Sequence, residues 1–255
     1  MLSAAQRKIL AQFASRHGRR KSPYFLAEGL RCCREARLRH PDWLAFTVAT
    51  EAFLASPDGE AFAADGHVAI VSESEFAALT ETSTPQGVLM VLHRPPAVPP
   101  ERLPSPWCLI LDRLQEPGHL GTILRTAWAL GLSGVWLTDD CADVYAPKVV
   151  RAGMGAQFAV ACQPAGELRE ACRRFRELGG RTVWCAMPRG ETLAFSDAFR
   201  LDGASALVIG NEGNGIAHPE VGRAVTIPMP GQAESLNVAQ AATVLMFEAL
   251  RKSLA

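Results

Sequence analysis

From residue 108 onward, five short runs are apolar at consecutive positions: "CLILD" (108–112), "GVWLT" (134–138), "TVWCAM" (182–187), "ALVIG" (206–210) and "AVTIP" (224–228). A strand with one solvated face alternates apolar and polar residues, whereas a run that is apolar on both faces belongs in a parallel sheet covered by helices on each side. Before residue 95, β-branched or aromatic runs ("YFLA", "WLAFTVAT", "HVAIVS", "GVLMVL") alternate with helical spacing near 3–16, 28–38 and 73–80, the pattern of a small α/β domain. Between the two lies "HRPPAVPPERLPSPW" (93–107), six of whose fifteen residues are proline. Proline lacks an N–H donor and fixes φ, so this stretch is expected to be a stiff, extended connector. The expected organisation is a domain over 1–95, a proline-rich linker over 96–106 and a second domain over 107–255.

At 255 residues and 48% hydrophobic, the chain can bury a substantial core. Its formal net charge is zero, yet residues 1–40 carry ten Lys or Arg against only Glu28 and Glu35. A basic front end on an otherwise acidic chain points to a polyanion, with Arg19, Arg20 and Lys21 as the densest cluster, or else to a solvated basic helix. No window approaches the roughly 18–20 apolar residues that cross a bilayer, and the N-terminus lacks a secretory apolar core, so no membrane partner is expected and the cytoplasm is the expected compartment. The first acidic residue is Glu28, a transit-peptide-like composition that keeps the mitochondrial matrix as the alternative. Seven cysteines without C-x-x-C spacing read as small core residues, with no disulfide and no metal site.

Ligands of open parallel sheets bind beyond the carboxyl ends of the strands, and three of those loops are unusual. After "CLILD", Pro117 and Gly118 turn the chain into a helix expected to begin near His119, with Arg125 less than two turns further on. After "ALVIG", "NEGNGIAHPEV" places Glu212 on a loop with glycines at 210, 213 and 215. Its G-x-x-G-x-G order is not the dinucleotide fingerprint, and no such fingerprint follows the first strand of the second domain, which disfavours a nucleotide-binding oxidoreductase. After "AVTIP", Pro228, Pro230 and Gly231 form a rigid loop before a long helix expected to start at Ser235 or Leu236, with Ser235 as its N-cap. Asn237 would then lie in the first turn of an apolar helix, where a buried amide needs partners.

Taken together, "EPGHLGTILRTA", "LVIGNEGNGI" and "IPMPGQAESLNVAQAA" resemble, in order and spacing, the three signature motifs of the SpoU/TrmH family of RNA 2′-O-ribose methyltransferases in the SPOUT superfamily. The resemblance spans about 105–253, and "GRRKSPYFLAEG" with "TPQGVLMVL" looks like the small substrate-binding domain that many rRNA members carry in front. It implies a parallel-sheet α/β domain with a C-terminal trefoil knot, preceded by a small α/β RNA-binding domain. It also implies S-adenosylmethionine held bent in the knotted loops without a metal, a homodimer that completes the active site, and RNA, ribosomal before transfer RNA, as partner. By the same likeness, Met187, Gly210, Ile227, Met229, Ser235 and Leu236 would frame the cofactor, while Arg125, Glu212, Ser235 and Asn237 would serve catalysis.

The residue types suit that chemistry. Glycine and proline loops build a dry pocket in which a sulfonium needs no strong counter-charge. A ribose hydroxyl must be polarised or deprotonated, and since a guanidinium holds its proton, Arg125 is better suited to clamping the adjacent phosphate. One position departs from the family: His119 stands where asparagine is usual, six residues before the arginine. A histidine both accepts and donates hydrogen bonds, so two readings stay open, an active enzyme and a catalytically silent RNA binder.

Overall fold

The computed structural model describes residues 1–63 and 66–254, with the side chains of Arg16 and Arg20 outside the description. The chain forms two compact units, Met1–Pro96 with Tyr145–Phe158, and Ala97–Val144 with Ala159–Ala255. The second half of the sequence is therefore not one continuous unit: a 14-residue excursion packs with the first. Among the described residues, no helix is long and apolar enough to cross a membrane.

The first unit runs α1 (Ala4–Ala11), α2 (Arg16–Lys21), β1 (Tyr24–Glu28), α3 (Leu30–Arg39), β2 (Leu44–Thr50), α4 (Glu51–Leu54), α5 (Glu60–Ala63), β3 (Val68–Val71), α6 (Glu73–Leu79) and β4 (Val88–His93). The helix expected over 3–16 stops at Ala11, passes through a 3₁₀ turn and gives way to α2, which Ser15 caps by accepting from the Gly18 amide. The sheet order is β1-β4-β2-β3, with β4 antiparallel to β1 and β2, and β3 parallel to β2. β4 is buried on both faces, and the two-residue period of a strand deals its side chains to two cores. Met90 and Leu92 enter one core with Phe25, Cys33 and Phe62. Leu89 and Val91 enter the other with Leu10, Phe46 and Phe76. The excursion contributes Val150 and Phe158 to the first of these cores.

The second unit contains β5 (Cys108–Leu111), α7 (Pro117–Ala129), β6 (Gly134–Leu137), then, after the excursion's α8 (Pro147–Gly153), β7 (Ala161–Pro164), α9 (Leu168–Glu177), β8 (Thr182–Ala186), β9 (Thr192–Leu193), β10 (Ser205–Ile209), β11 (Arg223–Thr226) and α10 (Val238–Ser253). All seven strands are parallel, in the order β7-β6-β5-β10-β8-β11-β9. The strands β5, β6 and β10 are buried at every position, as the continuous apolar runs require. Two edge strands were not expected. "ACQP" in β7 has no fully buried position and ends in proline, which only an edge tolerates, and β9 is two residues long. Two late strands take inside places: β10 lies between β5 and β8, and β11 between β8 and β9. All seven cysteines are unpaired, and burial pushes their thiols up, to about 12 at Cys162 and Cys185, so they act as protonated packing groups.

At the end of α10, Lys252 is 7% exposed. Its ammonium donates to the carbonyls of Ala194 (2.9 Å), Ser196 (2.5 Å) and Phe199 (2.9 Å) and lies 3.2 Å from Glu248 Oε1. Glu248, itself 8% exposed, also accepts two bonds of 2.8 Å from Arg251. The Arg251 hydrogen bonds are the main cause that holds its pKa down to about 2, from 4.5. Lys252→Met leaves three carbonyls and part of a carboxylate without their donor, and is expected to cost about 2–3 kcal/mol in urea unfolding. Because the folded pKa of Glu248 is depressed, its contribution is present above the ordinary carboxylate value and is lost as pH falls towards about 2. The stability gap between the protein and Glu248→Gln should therefore be widest near neutrality and close across that acid range.

Candidate active site

A buried carboxylate sets the geometry at the carboxyl ends of the strands. Asp112, 1% exposed, follows β5; its Oδ2 accepts the Ala217 amide at 2.7 Å and its Oδ1 accepts the Thr138 hydroxyl at 3.2 Å. This ties the loop after β10 to the ends of β5 and β6. The same loop is pinned again by Asn211, whose Nδ2 donates to the Arg113 carbonyl at 2.8 Å and whose Oδ1 accepts the amides of Gly213 and Asn214 at 3.0 Å. The chain folds back so tightly that Asn211 and Gly215 bridge each other. Gly210 is required by this return: a Cβ there would stand 2.5 Å from Gly215 C and Ile216 N. What excludes a side chain at Gly210 is the backbone of its own loop.

Glu212, at the tip of that loop, reaches back to the turn before α7. It accepts the amides of Glu116 (3.0 Å) and Gln115 (3.4 Å), the Asn211 amide group (3.3 Å) and a ring contact from His119 Nδ1 (3.3 Å). Partial burial raises its pKa, but its own amide, those of Glu116 and Gln115, and the His119 bond outweigh this and hold the carboxyl below its ordinary value. Such a group is a fixed anion and hydrogen-bond anchor, and a poor base.

The third loop ends in a cap other than the expected one. Asn237 is the N-cap of α10: its Oδ1 accepts the Ala239 amide at 2.9 Å and the Gln240 amide at 3.4 Å, and the helix starts at Val238. Ser235 and Leu236 precede the helix, and Asn237 is an exposed residue, not a buried amide in the first turn. Its Nδ2 lies 2.7 Å from His119 Nε2. The start of α7 is likewise shifted: the helix begins at Pro117, with Glu116 as its cap, accepting from the amides of Gly118 and His119.

A cavity of about 500 Å³ opens among these loops. Met187, Gly210, Ile227, Met229, Ser235 and Leu236 all line it, together with Glu212, Asn237 and His119. Arg125 does not line it; the side chain is exposed on α7 and makes no hydrogen bond or ion pair among the described residues. Glu212 is the one carboxylate in the lining, and the rest is mainly apolar side chain and loop backbone.

The profile of the SpoU rRNA methylase family matches residues 106–247, over these three loops, and that of the MRM3-like substrate binding domain matches residues 5–90. The chain belongs to the SpoU rRNA methylase family. It is similar to the 23S rRNA (guanosine(2553)-2′-O)-methyltransferase of Bacillus subtilis, with 35% identity over 70% of each chain. Among solved structures it resembles the SpoU methyltransferase AviRb of Streptomyces viridochromogenes in complex with the cofactor AdoMet, with 25% identity, a TM-score of 0.83 and 99% of each chain covered. An AdoMet-bound rRNA methyltransferase from Sinorhizobium meliloti gives 28% identity and the same TM-score, covering 100% of this chain and 98% of that one. The parallel α/β fold with a small N-terminal domain, expected from the motifs, is thus the fold of this family.

The motifs did not single out Asp112, Asn211 or the double hold on His119. The signal for Asp112 was present in "CLILD", where a carboxylate ends a strand otherwise buried throughout. The basic front end is less uniform than its sequence suggests: Arg19 donates to the Phe13 carbonyl at 2.7 Å and is only 25% exposed, while Lys21 is exposed. The Arg20 side chain lies outside the described residues. Gly210→Ala is expected to push the 215–216 backbone away and to cost about 1–3 kcal/mol in thermal unfolding. Gly213→Ala, whose Cβ would meet nothing nearer than Asn211 Oδ1 at 3.7 Å, should be close to neutral in the same measurement.

Proposed function

We propose that this chain is an S-adenosylmethionine-dependent RNA 2′-O-ribose methyltransferase, acting in the cytoplasm on ribosomal RNA and needing no metal ion. One observation carries the reading: in a chain of this family, three loops converge on one cavity whose wall includes Glu212, Ser235, Asn237 and the backbone around Gly210. The lining fits the cofactor, since Met187, Ile227, Met229 and Leu236 offer apolar contact and Glu212 is the only carboxylate among the residues that line the cavity. Bound there, S-adenosylmethionine would supply an electrophilic methyl group. The C-terminal segment is read as threaded into a trefoil knot, in line with the late insertion of β10 and β11 between earlier strands.

Within this reading the protein residues divide the work. Glu212 holds the loop after β10 against the start of α7, and Asn237 fixes the start of α10; Ser235 presents a hydroxyl beside the ribose. Arg125, exposed and outside the cavity lining, is supplied to the site of a partner subunit in a homodimer, where it grips the phosphate next to the reacting 2′-hydroxyl in a bidentate contact. A dimer built through α7 and α10 also covers Phe247, which is 48% exposed on α10. Incubating the protein with unmodified rRNA and radiolabelled S-adenosylmethionine tests the activity itself. Cofactor binding without transfer would leave the silent RNA binder, the reading that His119 favours, and transfer to tRNA alone would change the substrate.

Arg125→Ala should slow single-turnover methylation about 10²–10³-fold with cofactor binding unchanged. Mixing that variant with Asn237→Ala should restore part of the lost rate, because in a mixed dimer one site receives both natural residues; no recovery would place Arg125 in the site of its own chain. For the basic front end, Lys21→Ala should reduce the slope of log affinity against log salt by about 0.7–0.9 if the lysine meets one phosphate, and an unchanged slope assigns it to a solvated face.

A further inference from the structure

His119 is held at both ring nitrogens, and the polarity of those two contacts determines where its proton sits. The amide of Asn237 can be oriented without ambiguity, because its Oδ1 accepts the Ala239 and Gln240 amides as the cap of α10. The group facing His119 Nε2 at 2.7 Å is therefore the NH₂, which can only donate. Nε2 must present a lone pair. The single ring proton of a neutral imidazole is then on Nδ1, 3.3 Å from an oxygen of Glu212 that can only accept while ionised. His119 in this way joins the three loops of the cavity: it stands on α7 after β5, and bonds to Glu212 after β10 and to Asn237 after β11.

We propose that His119 is a pH-gated positioning residue that couples the loop after β11 to the other two only as the neutral Nδ1–H tautomer. Protonation at Nε2 sets a donor against the donor of Asn237. Asn237 cannot answer by turning its amide over, because that would break the cap of α10. Acid thus breaks the Asn237 bond and strengthens the Glu212 contact into an ion pair, which frees the 235–238 wall of the cavity. An asparagine at position 119 carries no titrating ring and would lack the gate. The charged neighbours act on the same proton from each side. Glu212 faces it from the loop after β10. On the β5 side are Glu116, whose carboxylate accepts the His119 amide, and Arg113, which donates to the Gly215 carbonyl at 3.5 Å. Arg125 lies on the same helix, and Glu234 is the only titratable residue between 227 and 240.

The functional consequence rests on the methyltransferase reading, whereas the tautomer does not, and two measurements on the full chain separate them. In long-range proton–nitrogen correlation spectra of the protein labelled at its histidines, the His119 signals, assigned by their loss in His119→Asn, should show a protonated Nδ1 and a bare Nε2 at about pH 8. The opposite tautomer would overturn the proposal. Asn237→Asp, which replaces the donor with an acceptor, should convert the same ring to the doubly protonated form. Binding of S-adenosylhomocysteine, followed by calorimetry, should weaken about tenfold or more between about pH 8 and about pH 5. His119→Asn should flatten that change to less than about twofold while keeping the natural melting temperature, and His119→Gln serves if the asparagine variant folds poorly. An equal pH dependence in natural and substituted proteins would also overturn the gate. Absence of binding by every form at every pH would remove the methyltransferase reading and leave the spectra to decide the tautomer.

Discussion

A carboxylate buried to 1% exposure at the end of a strand must be fully hydrogen-bonded or it destabilises the fold. Asp112 meets that demand by taking the Ala217 amide and the Thr138 hydroxyl, and the rest of the site follows from this choice. The loop after β10 is drawn over the end of β5, Gly210 becomes obligatory for the return, and Glu212 arrives within reach of the amides of Gln115 and Glu116. Those bonds fix the start of α7, hence His119, hence the amide of Asn237. A chain of polar contacts, each leaving few alternatives for the next, shapes a cavity whose surface is itself mainly apolar.

Much of the second unit is legible in the sequence because burial on both faces leaves a simple mark. Strands such as "CLILD" and "ALVIG" have no polar side, and three glycines, or two prolines and a glycine, in the loops that follow signal close backbone approach. The edges were less legible, since β7 and β9 need neither length nor apolar runs. The cap of α10 shows another limit. Ser235 and Asn237 are both good capping residues, and local propensity does not choose between them; Asn237 takes the cap with its Oδ1, and its remaining NH₂ meets His119, 118 residues away, a contact no local pattern announces. The excursion at 145–158 was hidden for a related reason: Val150 and Phe158 are ordinary apolar residues, and nothing local states which core they fill.

Charge points to the kind of partner but not to which side chains are free to meet it. The ten basic residues of the first forty suggest a polyanion partner or a solvated basic helix, and several of them have partners within the fold: Arg19 a backbone carbonyl, Arg34 Asp58, Arg39 Glu35. Counting charges overstates the field a partner meets when the guanidinium groups already serve the fold.

The attachment of Lys252 bears on how the chain assembles. The carbonyls it binds belong to residues 53 to 58 positions earlier, and between the two lie β10 and β11, the strands that take inside places in the sheet. As the chain leaves the ribosome, residues 194–199 have no ammonium to hold them until the last turn of α10 has been made. That fastening therefore depends on a helix made only after β10 and β11, so it is the last of these contacts the chain can form.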